Sequence, residues 1–205
     1  MRSQHVWARV VTVVFNPLIM PSIAFLILFS LPAYFALILP LKARMMIFSV
    51  VFINTAILPF FSLILLKRLG LITSFGLEKR EERLYPLMLG TILVYLTYFL
   101  FRRLSLPGVY SVFLFGTSLI ALVTLVITWR YAISIHMIAI GGVTGMLLGI
   151  QTLGFAPVLP WLAISILVAG IMGSARLFLK AHDAPQVYLG FLLGCGMMTA
   201  CYHLF

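Results

Sequence analysis

The sequence predicts an all-helical, polytopic membrane bundle, and three observations carry that prediction. Of the 205 residues 63% are hydrophobic and 9% are charged, with a mean hydropathy of +1.19, whereas a soluble domain carries about 25% charge. The apolar residues fall into runs close to the length of about 20 that a helix needs to cross a bilayer at 1.5 Å rise per residue. Short polar or proline-containing breaks separate the runs, so little chain is left for a domain outside the membrane.

The first run, at about 10 to 30, follows Arg2 and Arg9 and is interrupted by Asn16, Pro17 and Pro21. No clear small-residue cleavage site follows it, so it reads as a first membrane segment rather than a signal peptide. Between Leu31 and Leu41, Pro32 and Pro40 bracket an apolar patch that reads either as a continuation of that segment or as an interfacial turn. Further runs fall at about 45 to 66, 86 to 101, 109 to 129, 134 to 153, 157 to 175 and 187 to 205. The expectation is about six or seven transmembrane helices, with seven favoured. No internal repeat, low-complexity tract or linker divides the chain, so residues 1–205 read as one integral-membrane domain.

Small residues concentrate in two late runs, Gly141, Gly142, Gly145 and Gly149 in one and Gly190, Gly194 and Gly196 in the other. In lipid, helices associate where small residues let backbones approach, which predicts that these two helices are interior to the bundle. Cys195 and Cys201 have neither a redox nor a zinc spacing and read as packing residues. A formal net charge of +10 raises nucleic acid as a partner. Fourteen basic residues in so apolar a chain are better read as interfacial anchors and anion ligands.

The polar residues gather in a few places whose sidedness follows from counting crossings. The segments from Lys67 to Tyr85, Arg130 to His136 and Arg176 to Gln186 are separated by even numbers of helices. Lys79, Arg80, Arg83, Arg130, His136, Arg176, Lys180 and His182 are therefore expected at one membrane face. Arg and Lys around two histidines suit a multiply charged anion such as phosphate: guanidinium forks bind its oxygens bidentately, and histidine can attack or donate a proton. Phosphoryl transfer asks chiefly for positioning and charge stabilisation. Carboxylate pairs for glycoside hydrolysis and a helical His-Glu-x-x-His are absent from the sequence. The bland alternatives are a solvated charged loop for Arg80, Glu81, Glu82 and Arg83, a helix-end histidine for His136, and interfacial anchors for Arg176 and His182.

The stretch Ser174-Ala-Arg-Leu-Phe-Leu-Lys-Ala-His-Asp-Ala-Pro-Gln-Val-Tyr-Leu-Gly-Phe-Leu-Leu-Gly194 resembles the third signature of the type 2 phosphatidic acid phosphatase superfamily. Arg176 and His182 match its spacing of Arg, five residues and His. Ser134-Ile-His136 is similar to the second signature, Pro-Ser-Gly-His, and Glu78 to Pro86 is a weak counterpart of the first. In that first counterpart Lys79, Arg80 and Arg83 stand near the places of the signature's Lys and Arg. The three segments occur in the family's order across about residues 78 to 196.

The resemblance implies a phosphatidic acid phosphatase type 2-like helical core and metal-independent removal of phosphate from a lipid mono- or diphosphate, with no cofactor. It makes His182 the nucleophile that forms a phosphohistidine and His136 the acid for the leaving oxygen. Arg176, with Lys79, Arg80, Arg83 and Ser134, would hold the phosphoryl group. Phosphatidic acid, phosphatidylglycerol phosphate or an isoprenyl phosphate would be the lipid partner. Gln186 stands where the family has an Asp that orients the nucleophilic imidazole and stabilises its charge; an amide oxygen still accepts a hydrogen bond but is neutral. Asp183, beside His182, is the nearest carboxylate in sequence.

That substitution motivates a second reading, a non-catalytic lipid-phosphate-binding or partner-binding protein of the same fold. A third is a transporter or an unrelated helical membrane protein whose Arg and His line a pathway. Ten Lys and Arg on the site side against four on the other place the site in the cytoplasm by the positive-inside rule. Six of the ten are ligand candidates, however, and without them the sides balance, while the family's lipid phosphatases commonly face outward. The lack of targeting signals fits a bacterial inner membrane.

Overall fold

The computed structural model describes residues 6–74 and 81–205, apart from the Arg83 side chain. Among the described residues the regular structure is helical throughout, and six helices are long and apolar enough to cross a membrane: Leu41–Arg68, Leu84–Arg103, Gly108–Thr128, Ile135–Thr152, Leu159–Phe178 and Ala184–Leu204. Large apolar side chains such as Phe60, Leu167 and Leu192 are more than half exposed on their outer faces. Lipid is the solvent that such a surface requires. The chain is an integral membrane protein.

The apolar run at 10 to 30 is not a seventh spanning helix. It is broken into α1 (Val6–Val14) and α2 (Met20–Ser30). The break has a local cause: Pro17 has no N–H to continue a helix, and the Asn16 side chain accepts the Leu18 N–H at 3.0 Å in an Asx turn. α1 packs along the end of a later helix, with the Trp7 and Phe178 rings 5.6 Å apart. α2 is buried through Phe25, which meets Phe101, Tyr110 and Phe113.

The patch after Leu31 is a turn and not a continuation of α2. It holds the one-turn helix α3 (Tyr34–Leu37), exposed at Tyr34 and Leu37. Arg44 fastens the corner by donating to the carbonyls of Leu39 at 2.9 Å and Phe29 at 3.3 Å. The first long span then runs as α4 (Leu41–Phe52), a π turn over Ile53–Ile57, and α5 (Leu58–Arg68). Pro59 explains the π turn, because it gives no N–H to the carbonyl one turn back and its ring forces the helix to widen there.

The remaining spans are α6 (Leu84–Arg103), α7 (Gly108–Thr128), α8 (Ile135–Thr152), α9 (Leu159–Phe178) and α10 (Ala184–Leu204). The glycine pattern made α8 and α10 interior. That holds for α8, which is two-thirds buried, whereas α10 buries about a third of its span and shows its other face to lipid. Their contact is backbone on backbone. A Cβ at Gly141 would strike the Phe191 carbonyl, one at Gly145 the Cys195 carbonyl and one at Gly194 the Ile138 carbonyl. Thr199 Oγ1 donates across the seam to the Gly145 carbonyl at 3.1 Å. Gly196 is not part of the seam and has nothing within 4 Å of its would-be Cβ, while Gly142 faces the interior cavity beside Ile120. Cys195 and Cys201 are free thiols packed in α10.

Candidate phosphoryl site at one end of the bundle

The seam sets the site because its upper end joins the two histidine-bearing segments. Ser134 stands at the N-cap position of α8 without a side-chain cap bond, and its N–H donates to the Gln186 carbonyl in the first turn of α10 at 3.3 Å. Gly190 lies against the Ser134 carbonyl, where a Cβ would come within 2.9 Å of the oxygen. The α7–α8 and α9–α10 loops are thus fixed together at one end, as the crossing count requires.

Arg176 and His182 are joined by the way α9 stops. Lys180 takes a left-handed conformation at φ 50°. Its N–H reaches the Leu177 carbonyl at 2.9 Å, and the Ala181 N–H reaches the Arg176 carbonyl at 3.1 Å. This pair of bonds is a Schellman ending. It reverses the chain direction just before His182, one residue further. Asp183 and Gln186 then form the reciprocal capping box that starts α10, with Pro185 in its first turn.

That box also settles the chemistry of the His182 ring. Gln186 Oε1 lies 2.7 Å from His182 Nδ1 and 3.4 Å from the Asp183 backbone nitrogen. A backbone N–H can only donate, so the amide atom at this corner is the oxygen. Nδ1 of a neutral His182 therefore carries the hydrogen and Nε2 the lone pair. Asp183, the nearest carboxylate in sequence, is engaged in capping α10.

His136, in the first turn of α8, completes the cluster. The charges of Arg176 and His182 both reach its ring, and the Thr12 backbone of α1 is within hydrogen-bonding reach of it. Its Nε2 is buried with no hydrogen-bond partner among the described residues. Ser134 is fully buried, and its hydroxyl too has no partner among the described residues. Arg176 and His182 are half-buried, and Lys180 is exposed.

The first-signature cations are not placed. Lys79 and Arg80 lie outside the described residues, as does the Arg83 side chain. What is described of that segment differs from a solvated charged loop: Glu82 is 7% exposed and its carboxylate accepts the Thr73 N–H at 3.1 Å and the Thr73 hydroxyl at 2.9 Å. The acid therefore ties the loop after α5 to the start of α6. Neither this pairing nor the approach of α1 to His136 could be read from the sequence, because both join residues distant along the chain and no spacing announces them. Among the described residues no three His, Cys, Asp or Glu side chains group as metal ligands.

Comparison with known proteins finds no matching protein-family model, no matching curated protein and no matching solved structure.

Proposed function

We propose that the protein is a membrane lipid phosphatase, in which His182 Nε2 attacks the phosphorus of a lipid mono- or diphosphate. The observation that carries this reading is the histidine pair. His182 is held by Gln186 Oε1 with Nε2 as its basic nitrogen, and the buried, unpartnered His136 Nε2 lies within electrostatic reach of it and of Arg176. The bond from phosphorus to the leaving oxygen breaks as the N–P bond forms, and His136, which enters the cycle protonated, gives its proton to that oxygen, so that the lipid alcohol departs from a monophosphate and the lipid monophosphate from a diphosphate. Water then attacks the phosphohistidine and frees inorganic phosphate, with His136 taking the water's proton. The Arg176 fork stabilises charge on the phosphoryl oxygens. The Ser134 hydroxyl and the cations Lys79, Arg80 and Arg83 are assigned to the same group by the signature resemblance. Phosphatidic acid, phosphatidylglycerol phosphate and isoprenyl phosphates are the substrates to try, and a bacterial inner membrane is the setting this chemistry fits.

One observation favours a second reading. Gln186 is neutral and belongs to the capping box of α10, so a helix-starting role accounts for it without catalysis. The protein would then bind a lipid phosphate without turning it over. Phosphate release by purified wild type, His182→Ala and Gln186→Asp on a panel of lipid phosphates separates the two. The phosphatase reading expects release by wild type, none by His182→Ala and faster release by Gln186→Asp, because a carboxylate stabilises the cationic imidazole better than an amide. Release that survives His182→Ala overturns the phosphohistidine. Phosphate binding without release in every form establishes the second reading instead.

A further inference from the structure

A cavity of about 160 Å³ is walled by the Pro17–Leu18 turn, α2, the π turn with Pro59 just beyond it, α6, α7, α8 and Met198 of α10. Its shape is a slot. On α8 it is lined from Ile135 to Val143 and on α6 from Pro86 to Val94, eight residue steps in each case or about 12 Å at 1.5 Å per residue. On α7 it is lined from Thr124 back to Phe113, about 16 Å by the same rise. Ile135 precedes His136, so the slot begins at the depth of the cluster and runs along the helices toward the middle of the bundle.

Among the described residues no charged side chain lines it. Three of its four threonines satisfy themselves, Thr91, Thr117 and Thr124 each donating to a carbonyl of its own helix at 2.7–2.8 Å, which leaves a wall of carbon. The fourth, Thr55, sits in the π turn at 3% exposure, and its hydroxyl has no partner among the described residues. A soluble protein's dry apolar cavity of similar volume, about 150 Å³, accepts a benzene-sized guest.

We propose that this slot holds a stretch of one hydrocarbon chain of a membrane lipid from the leaflet at the site end. Length, direction and lining all match. The hydrocarbon of one leaflet is about 15 Å deep, half of the roughly 30 Å core, and the slot runs along the helices over that distance from the site end. Leu87, Gly90 and Thr91 on α6 are partly exposed and put the opening on that wall, next to lipid-facing Met88 and Ile92. An empty apolar slot forfeits dispersion contacts on every side, and the bilayer supplies the one guest present everywhere around it. This assignment stands apart from the phosphatase reading, since a chain can occupy the slot whether or not His182 turns over a phosphate.

Met198 allows a direct test, because it lines the slot and is only 1% exposed. The protein is reconstituted in nanodiscs containing a phospholipid with a photoreactive diazirine along one acyl chain, irradiated, and mapped by mass spectrometry. Labelling of Met198 is expected alongside the outward Leu192 and Phe60 in wild type. Two filling variants, Gly142→Val and Ala139→Leu, should each reduce Met198 labelling several-fold and leave Leu192 and Phe60 unchanged. At Gly142 a Cβ meets only Ile120 at 3.9 Å and Met198 at 4.0 Å, so there is room for the first carbon. Labelling confined to outward residues in wild type overturns the proposal, as does Met198 labelling that both variants leave intact.

Discussion

If α8 and α10 touch backbone to backbone, alanine substitutions along α10 must divide sharply by position. Gly194 is buried in the seam, where a Cβ would strike the Ile138 carbonyl and come within 2.9 Å of the Gly142 nitrogen. Both obstacles are main chain of α8, and neither can rotate away. Gly196, two residues further on the lipid-facing side, has nothing within 4 Å. Gly190 is intermediate, with the Ser134 carbonyl at 2.9 Å and Met137 Cβ at 3.2 Å. Alanine gains about 1 kcal/mol over glycine in a helix interior at each of the three positions. That gain cancels when variants of the same helix are compared. What remains is the overpacking term, about 1–3 kcal/mol and occasionally more.

Gly194→Ala should therefore lie about 3 kcal/mol below Gly196→Ala, with Gly190→Ala between them and Gly196→Ala at or above wild type. For a chain of this size each kcal/mol corresponds to roughly 2–4 °C in midpoint. Detergent-solubilised protein followed by fluorescence-detected size exclusion after heating reads that spread directly. Gly194→Ala and Gly196→Ala melting together would refute the close seam, and with it the mechanism that holds Ser134 against the first turn of α10.

Other expectations concern the site. Arg176→Lys should weaken phosphate or vanadate binding by roughly 1.5–3 kcal/mol although the charge is kept, because a point charge cannot reproduce a planar fork against two oxygens; unchanged affinity by calorimetry would make Arg176 an interfacial anchor. Lys180→Gly should stabilise the fold by about 1 kcal/mol by relieving the left-handed strain of a residue with a Cβ, and should weaken anion binding at the same time; a variant less stable than wild type in the heating assay contradicts the strain. Glu82→Ala strips Thr73 of two hydrogen bonds to a carboxylate and should cost about 1.5–3 kcal/mol, seen as faster proteolysis of the loop between α5 and α6. A cleavage rate equal to wild type would show that the loop is held by other contacts.

How much of this was legible beforehand depended on whether the controlling physics is local in sequence. The six long spans could be read because apolar length reports the bilayer directly. The run at 10 to 30 is not a span for a reason also present in the sequence: Asn16-Pro17 is a turn signal, and the structure obeys it by splitting α1 from α2. The glycine pattern found the seam but could not distinguish faces, so Gly196 and Gly142 were grouped with residues whose neighbours are entirely different. Parity placed the two histidine segments at one end, but only tertiary contact shows that the Thr12 backbone reaches His136 and that Glu82 is buried under Thr73.

The segment from Arg176 to Gln186 shows why a signature can be legible and its role still undecided. Its spacing is that of a Schellman ending followed at once by a capping box, so a sequence needing only a tight helix-to-helix turn has reason to adopt much of it. Folding alone predicts glycine at the left-handed position, and glycine stands there where α5 and α8 end, as Gly70 and Gly154. Lys180 occupies it at the candidate site, and Ser105 takes the same region beyond α6. Serine there is short, whereas Lys180 puts an exposed cation in the chain between Arg176 and His182, in a conformation costing about 1 kcal/mol. A cation just past a helix C-terminus also complements the last carbonyls and the helix dipole. The proposed anion site would use the same charge, and the Lys180→Gly variant separates the two accounts because only the proposed site expects anion affinity to fall.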